Sequence, residues 1–256
     1  MTRAAAFFDV DKTLIPGSSS MTLIGAFRRE GLVDRRMLMR LVRANVVYKL
    51  HGTDDARLAR WTEASTRLIA GWPRETVRRV VAEGLETKLL PIVYREALDL
   101  IATHRDRGDR VFAVSATMED VIRPLAESLG LETIASEVVT GADGRYTGEI
   151  SVACWGREKI ERIGAIAARV GLDLAASSAY SDSISDLPML AAVGHPVAVN
   201  PDRPLAEEAA RRGWPIMAFR HPTRRARADR RRVTMPLAVA VAALIALGLR
   251  RSHRPA

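Results

Sequence analysis

Residues 4–16 read Ala-Ala-Ala-Phe-Phe-Asp-Val-Asp-Lys-Thr-Leu-Ile-Pro, an apolar run that ends on two acids, Asp9 and Asp11, with Thr13 just behind them. No other stretch constrains the fold as much. A strand inside a parallel sheet is covered on both faces and reads as an almost unbroken apolar run. In such sheets ligands bind beyond the carboxyl ends of the strands, which is where these acids stand. Two carboxylates so close repel each other. They are tolerated when a cation neutralises them, when they share a proton, or when one serves as nucleophile and the other as acid.

Pro16, Gly17 and the serines Ser18 to Ser20 break the strand, and from Met21 to about Lys88 the pattern turns helical. Leu38, Leu41, Val42, Asn45 and Val46 recur at three- and four-residue steps, as do Leu58, Trp61, Thr62, Ser65, Leu68 and Ile69. Thr53-Asp54-Asp55 and Trp72-Pro73 read as helix starts, so an all-helical insert of about four helices is expected, ended by Pro91. From Tyr94 helix and strand alternate: a helix to about 107, a strand at 110–114, a helix at 118–129 closed by Gly130, and a hairpin within 138–150 turned by Asp143-Gly144. A helix at 156–170 stopped by Gly171, strands at 175–180 and 196–199, and a helix at 186–193 between them complete the pattern. Strands separated by helices imply an α/β fold with a doubly wound, Rossmann-like parallel sheet.

Charge matters only once it is divided along the chain. The formal net charge is +9, yet residues 220–256 hold ten Arg and one Asp and account for all of it. Residues 17–93 carry 14 basic against 8 acidic groups, so a basic insert faces an acidic remainder that includes Asp9 and Asp11. After the Arg-rich stretch 220–232, residues 233–249 hold no charged side chain, and Arg250 and Arg251 follow. As a helix this segment would rise about 26 Å, just short of the ~30 Å hydrocarbon core. The expectation is a membrane-anchoring apolar helix with Arg clusters on both flanks, heavier on the N-terminal side, which would keep the preceding domain cytoplasmic and lay 220–232 on anionic headgroups. Nucleic acid is disfavoured as a partner, because no aromatic residue interrupts the Arg run and the apolar segment would go unexplained. Cys154 is the only cysteine, which excludes an internal disulfide and reads as a packed thiol. No charged leader with a longer apolar stretch precedes the motif, so a cleavable signal peptide is not expected. His51, His104 and His195 show no metal-ligand spacing.

Four segments carry reactive groups: Asp9-Val-Asp11-Lys-Thr13, Ser115-Ala116-Thr117, Lys159 in Gly-Arg-Glu-Lys, and Ser181-Asp182-Ser-Ile-Ser-Asp186. Alone, Ser115 and Thr117 are ordinary N-cap residues and Lys159 is an ordinary helix lysine. In this order the set resembles the four motifs of the haloacid dehalogenase superfamily of phosphohydrolases, over about residues 5–205. Cys154-Trp-Gly-Arg-Glu-Lys159 and Val199-Asn-Pro-Asp are similar to the subfamily IB branch that contains phosphoserine phosphatases. The resemblance implies a catalytic core at 1–16 and 94–219, an inserted helical C1 cap at 17–93, an Arg-rich linker at 220–232 and the anchoring helix at 233–249.

It also implies a Mg²⁺-dependent phosphomonoester hydrolase. Asp9 would be the nucleophile that forms an aspartyl-phosphate, and Asp11 the acid that protonates the leaving oxygen and then activates water. Ser115, with Lys159, would complete the catalytic set, and Thr13, Ser115, Ala116 and Lys159 would bind the phosphoryl group, partly through backbone N–H groups at a helix N-terminus. Mg²⁺ would take the Asp9 carboxylate, the Asp11 carbonyl and the Asp182 carboxylate, with Asp186 in support; such a hard ion prefers oxygen ligands. The partner would be a phosphorylated small molecule or a lipid headgroup. Phosphoserine phosphatases of this pattern carry a glutamate in register with Ser18 to hold the substrate's ammonium, and this chain has no acid there. A P-type ATPase is excluded, since Asp11-Lys12-Thr13-Leu14 departs from DKTGT at its fourth residue. The alternatives are phosphoserine phosphatase itself and a non-catalytic membrane or nucleic-acid adaptor that keeps the fold.

Overall fold

The computed structural model describes residues 3–34, 37 and 66–223. Its strands are β1 (Ala5–Asp9), β2 (Arg110–Met118), β3 (Glu132–Thr140), β4 (Tyr146–Val152), β5 (Ser178–Ser181), β6 (His195–Val199) and β7 (Ile216–Met217). The helices are α1 (Ser19–Arg29), α2 (Arg74–Gly84), α3 (Arg95–Asp106), α4 (Glu119–Ser128), α5 (Gly156–Val170), α6 (Leu187–Ala191) and α7 (Arg203–Arg212). They build one sheet in the order β4-β3-β2-β1-β5-β6-β7, parallel except for the β3–β4 hairpin.

Every residue of β1 is buried because the strand lies mid-sheet with helices on both faces. Its side chains alternate between two cores, as the two-residue period of a strand requires. Ala6 and Phe8 join the core under α1, α2, α3 and α4, and Ala5 and Phe7 the one under α5, α6 and α7. Phe7 stacks on Phe112 with ring centres 5.2 Å apart, and Phe8 stacks on Tyr180 at 4.3 Å. Burying each such side chain contributes about 1.5–3 kcal/mol. The Tyr180 hydroxyl meets His104 Nε2 at 2.8 Å, and His104 Nδ1 meets Asp109 at 2.8 Å, so the buried histidine braces α3 against β5. From β1 the chain moves to β2 and β3 on one side, and later to β5, β6 and β7 on the other. The reversal falls between β1 and β5, the position at which doubly wound sheets open a crevice.

The expected fold class is the observed one, with local corrections. The helix at 156–170 ends where Gly171 was read as its stop, in the left-handed conformation (φ +70°) that glycine adopts without strain. The hairpin turn around Asp143-Gly144 is real but spans residues 141–145, closed by Gly141 N–H to the Arg145 carbonyl at 2.8 Å, and is not a two-residue turn. β3 starts at Glu132, where no strand was expected, and β2 continues past Val114 to Met118 through an irregular register. α7 and β7 were not anticipated. The helical stripe at 38–46, the 58–65 part of the stripe at 58–69, the Thr53-Asp54-Asp55 helix start, the Arg stretch beyond 223 and the apolar segment 233–249 lie outside the described residues, while Leu68 and Ile69 stand in a turn rather than a helix. Among the described residues no helix is long and apolar enough to cross a membrane.

Three contacts position the insert. Ser19 N–H at the start of α1 donates to Asp11 at 2.9 Å, so the helix begins on the second acid of the motif. Residues 71–74 then run against the hairpin: Gly71 N–H donates to the Tyr146 carbonyl at 2.8 Å and Tyr146 N–H to the Trp72 carbonyl at 3.0 Å. The approach is so close that a Cβ on Gly148 (φ +86°) would stand 3.2 Å from the Arg67 Cα. Asp120, in the first turn of α4, accepts from Arg74 at 2.7 Å, Arg78 at 2.8 Å and the Tyr146 hydroxyl at 2.7 Å. Beyond β7 the chain doubles back over the crossing from insert to core: Arg95 N–H donates to the His221 carbonyl at 2.8 Å, Thr223 N–H to the Val93 carbonyl at 2.9 Å, and Glu96 accepts from Arg220 N–H at 2.9 Å.

Burial pushes the Asp120 carboxyl up, but its bonds from Arg74, Tyr146 and Arg78 outweigh this and hold it below the usual range. A carboxyl depressed in the folded state contributes stability above its unfolded pKa of about 4, and the contribution is lost as pH falls through the lower folded value. Asp120→Asn is therefore expected to cost about 1–2 kcal/mol at neutral pH, the arginines being partly exposed. Urea midpoints taken across the acid range should show the difference from wild type shrinking below about pH 4.

Candidate active site

The strand ends fix the site. In register, Asp9 is level with Val114 of β2, and Phe8 with Tyr180 of β5, so the residues that follow each strand emerge at one height. Lys159 reaches them from the first turns of α5 across the sheet. Its ammonium lies 2.7 Å from Asp9 Oδ1 and 2.7 Å from Asp186 Oδ1, with side-chain exposures of 3%, 11% and 5% for Lys159, Asp9 and Asp186. Ser181 Oγ donates to Asp186 at 2.7 Å, so Asp186 stands behind Asp9 with its oxygens engaged. The first, third and fourth segments singled out in the sequence thus supply one cluster from positions as far apart as Asp9 and Asp186.

Asp11 accepts from Ser19 N–H at 2.9 Å and from the Thr117 hydroxyl at 3.3 Å, which ties the first motif to the second. Ser115 is buried, and its Oγ accepts from Thr117 N–H at 3.1 Å; Ala116 lies between them, half-buried. α4 itself starts at Glu119 after Met118 and has no side-chain cap, so Ser115 and Thr117 shape the irregular end of β2 rather than capping the helix. Thr13 is fully buried under the turn, and its hydroxyl has no hydrogen-bond partner among the described residues. Asp182 is buried and meets the Lys12 ammonium at 3.4 Å.

The electrostatics follow from burial with too few cations. Burial raises the Asp9 carboxyl well above its ordinary value; Lys159 works against this, and Asp186 and Asp182 push it further up. Asp182 is pushed up to about 6 by burial, with Lys12 opposing and Asp186 adding to the rise. Burial raises Asp11 too, moderated by its bonds from Ser19, and a carboxyl that holds its proton more readily suits an acid. Burial acts to lower the Lys159 pKa, but Asp186 and Asp9 outweigh it and keep the ammonium charged.

Three carboxylates, Asp9, Asp182 and Asp186, are therefore buried with one buried ammonium, which contacts Asp9 and Asp186 and leaves Asp182 to the exposed Lys12. The residues present fit a divalent ion: the excess is negative, the donors are hard oxygens, and the Asp9 and Asp182 carboxylates border the crevice. Among the described residues no three His, Cys, Asp or Glu side chains are placed to hold a metal by themselves. A site here would need a backbone carbonyl, which is the donor expected of Asp11, whose carboxylate is already engaged.

Two supports escaped the sequence reading. Asp202 accepts from Ser183 Oγ at 3.3 Å, Ile184 N–H at 3.2 Å and Leu205 N–H at 2.9 Å, so it caps α7 and holds the Asp182–Asp186 loop together. The Asp-Arg-Pro start of α7 was the signal available for its capping half. Lys12 was quoted with its motif but given no role. Cys154 is buried and its thiol is pushed up to about 11 by burial, which fits a packed thiol.

Residues 6–191 match the family model for haloacid dehalogenase-like hydrolase. A probable phosphatase of Mycobacterium tuberculosis is 41% identical over 96% of this chain and 85% of its own length. A phosphoserine phosphatase of the same organism is 32% identical over 98% of this chain and 82% of its own. The crystal structure of a Bordetella pertussis protein of unknown function superposes with a TM-score of 0.74 at 29% identity, covering 85% of this chain and 99% of that one.

Lys159→Met would leave Asp9 and Asp186 buried without their common cation, a change expected to cost about 3–5 kcal/mol. Thermal melts should place Lys159→Met well below wild type and the double variant Lys159→Met/Asp186→Asn between the two. Equal melting of the single variant and wild type would show that the ammonium does not hold the cluster.

Proposed function

Because the chain belongs to the haloacid dehalogenase-like hydrolases and is a phosphatase of that family, we propose that it is a Mg²⁺-dependent hydrolase of small or lipid-linked phosphomonoesters, with Asp9 as nucleophile. The observation that carries this reading is the 2.7 Å contact of Lys159 with Asp9 beside Asp182. Residues 17–93 serve as the cap over a core made of 1–16 and 94–219.

Asp9 attacks phosphorus as the ester P–O bond breaks, and Asp11 gives its proton to the departing alkoxide oxygen. The product at this stage is an aspartyl-phosphate and an alcohol. Water then attacks the same phosphorus, Asp11 takes the proton from it, and the Asp9–phosphate bond breaks to release inorganic phosphate. Lys159 fixes the Asp9 carboxylate and offsets charge at the nucleophile. Ser115, Ala116 and the backbone at the end of β2 hold the phosphoryl oxygens, and Thr13 shapes the turn that follows the two acids. The Asp9 carboxylate, the Asp11 carbonyl and the Asp182 carboxylate would hold Mg²⁺, with Asp186 in support, and the bound ion would neutralise charge on the substrate dianion.

The substrate differs from phosphoserine in this reading. Ser18 caps α1, accepting from Met21 N–H at 3.5 Å, and offers no carboxylate for an ammonium. A buried ammonium without its counter-charge is poorly compensated. Phosphoserine, on which the printed name of the 32% relative says that relative acts, is the second reading.

p-Nitrophenyl phosphate with and without Mg²⁺ tests the proposal: turnover should need the ion and fall at least 10³-fold in Asp9→Asn. No turnover of several phosphomonoesters by folded protein would favour the adaptor reading. The tail is proposed to hold the enzyme at an anionic membrane, so full-length protein should pellet with membranes while a chain ending at Thr223 stays in the supernatant. Identical partition of the two would discard the anchor.

A further inference from the structure

Among the described residues only Lys12 and Asn200 are non-glycines with positive φ, and Lys12 (φ +68°) stands directly after the second acid of the first motif. A side chain with a Cβ adopts this left-handed conformation at a cost that glycine avoids. The turn enforces it: Lys12 N–H donates to the Gly17 carbonyl at 3.1 Å, and Leu14 N–H to the Val10 carbonyl at 2.9 Å. A lysine at a strained position beside a catalytic pair is an outlier of the kind that marks function.

Its geometry says which. Lys159 is buried and makes two 2.7 Å contacts, whereas the Lys12 side chain is 63% exposed and reaches Asp182 at 3.4 Å. The first ammonium is fixed; the second is a long-range, solvated contact that a competing cation can displace. Asp182 needs a counter-ion because it is buried, and among the described residues the ammonium the structure gives it is that of Lys12. A displaced Lys12 stays tethered by its Cα between Asp11 and Thr13, at the mouth of the crevice, where the next anion to arrive is a phosphoryl group. A lysine binds such a group as a point charge without demanding one orientation.

Resting on the phosphatase reading above, we propose that Lys12 is an exchangeable counter-ion, seated on Asp182 in the metal-free protein and turned to the substrate's phosphoryl oxygens once a divalent cation has taken that seat. It makes the empty site tolerable and the loaded site more attractive to a dianion.

Calorimetric titration of Mg²⁺ alone into chelator-treated full-length protein, then of inorganic phosphate at saturating Mg²⁺, tests both halves. Lys12→Gln should bind Mg²⁺ about three- to ten-fold tighter, since one positive charge near the seat is gone, and phosphate weaker by a similar factor. Lys12→Gly should match it in both affinities while melting higher, because the backbone strain is relieved, and Lys12→Arg should follow wild type. The opposite signs of the two shifts separate this role from a merely structural one. Mg²⁺ affinity or phosphate affinity unchanged in Lys12→Gln overturns the proposal, while wild type still loses Mg²⁺ on Asp182→Asn. Wild-type protein that takes up no Mg²⁺, or takes it up equally well as Asp182→Asn, overturns the metal-dependent reading itself and this proposal with it.

Discussion

A single ammonium, Lys159 Nζ, sits 2.7 Å from the carboxylates of both Asp9 and Asp186, and the working end of the molecule is arranged around it. Burying these acids without it would be prohibitive, since an isolated carboxylate in an apolar interior reclaims its proton. The ammonium arrives only because α5 packs Ile163 and Ala167 into the core beneath Phe7 and Phe112, which sets the first turns of the helix over the strand ends. The apolar alternation of β1 and the packing of α5 are thus conditions for the charge cluster. The cluster in turn leaves Asp182 short of a buried partner.

The central strand and its acids were legible because burial on both faces writes itself as a local apolar run, and the end of α5 because left-handed φ selects glycine at position 171. Lys159 was legible only through the order of motifs, since a lone lysine in a helix carries no local mark of burial. What escaped was long-range or irregular. Residues 132–137 bury Ile134, Ala135 and Ser136 in a row but carry Glu at both ends and only one large apolar side chain, so their pairing with β2 left a weak apolar signal. The hairpin turn was recognised but not its length, which is set by Arg145 pairing with the insert. Asp120 gathers Arg74, Arg78 and Tyr146 from elements 26 to 46 residues away, and no spacing announces such a meeting.

The insert is built onto the chemistry rather than beside it. The N-terminus of α1, with the positive end of its dipole, rests on Asp11, and Asp11 also meets Thr117 at the end of β2. The same insert returns through Pro73 to pair with the hairpin, and through α2 to grip α4, the helix that follows that strand. Under the proposed function, substrate choice by the insert and proton transfer at Asp11 would therefore share backbone. Ser18 illustrates the economy: where relatives of phosphoserine specificity are expected to carry an acid, this chain places the residue that starts the helix.

Residues 220–223 bear on the region after them. They do not leave the sheet at its edge strand; they cross back and bond to Leu90, Val93, Arg95 and Glu96, where the polypeptide re-enters the core from the insert. Tension applied from beyond Thr223 would meet this seam before it met the sheet, so a pull on that end would be felt first where the polypeptide passes from the insert into the core, loosening the join between the two before any strand.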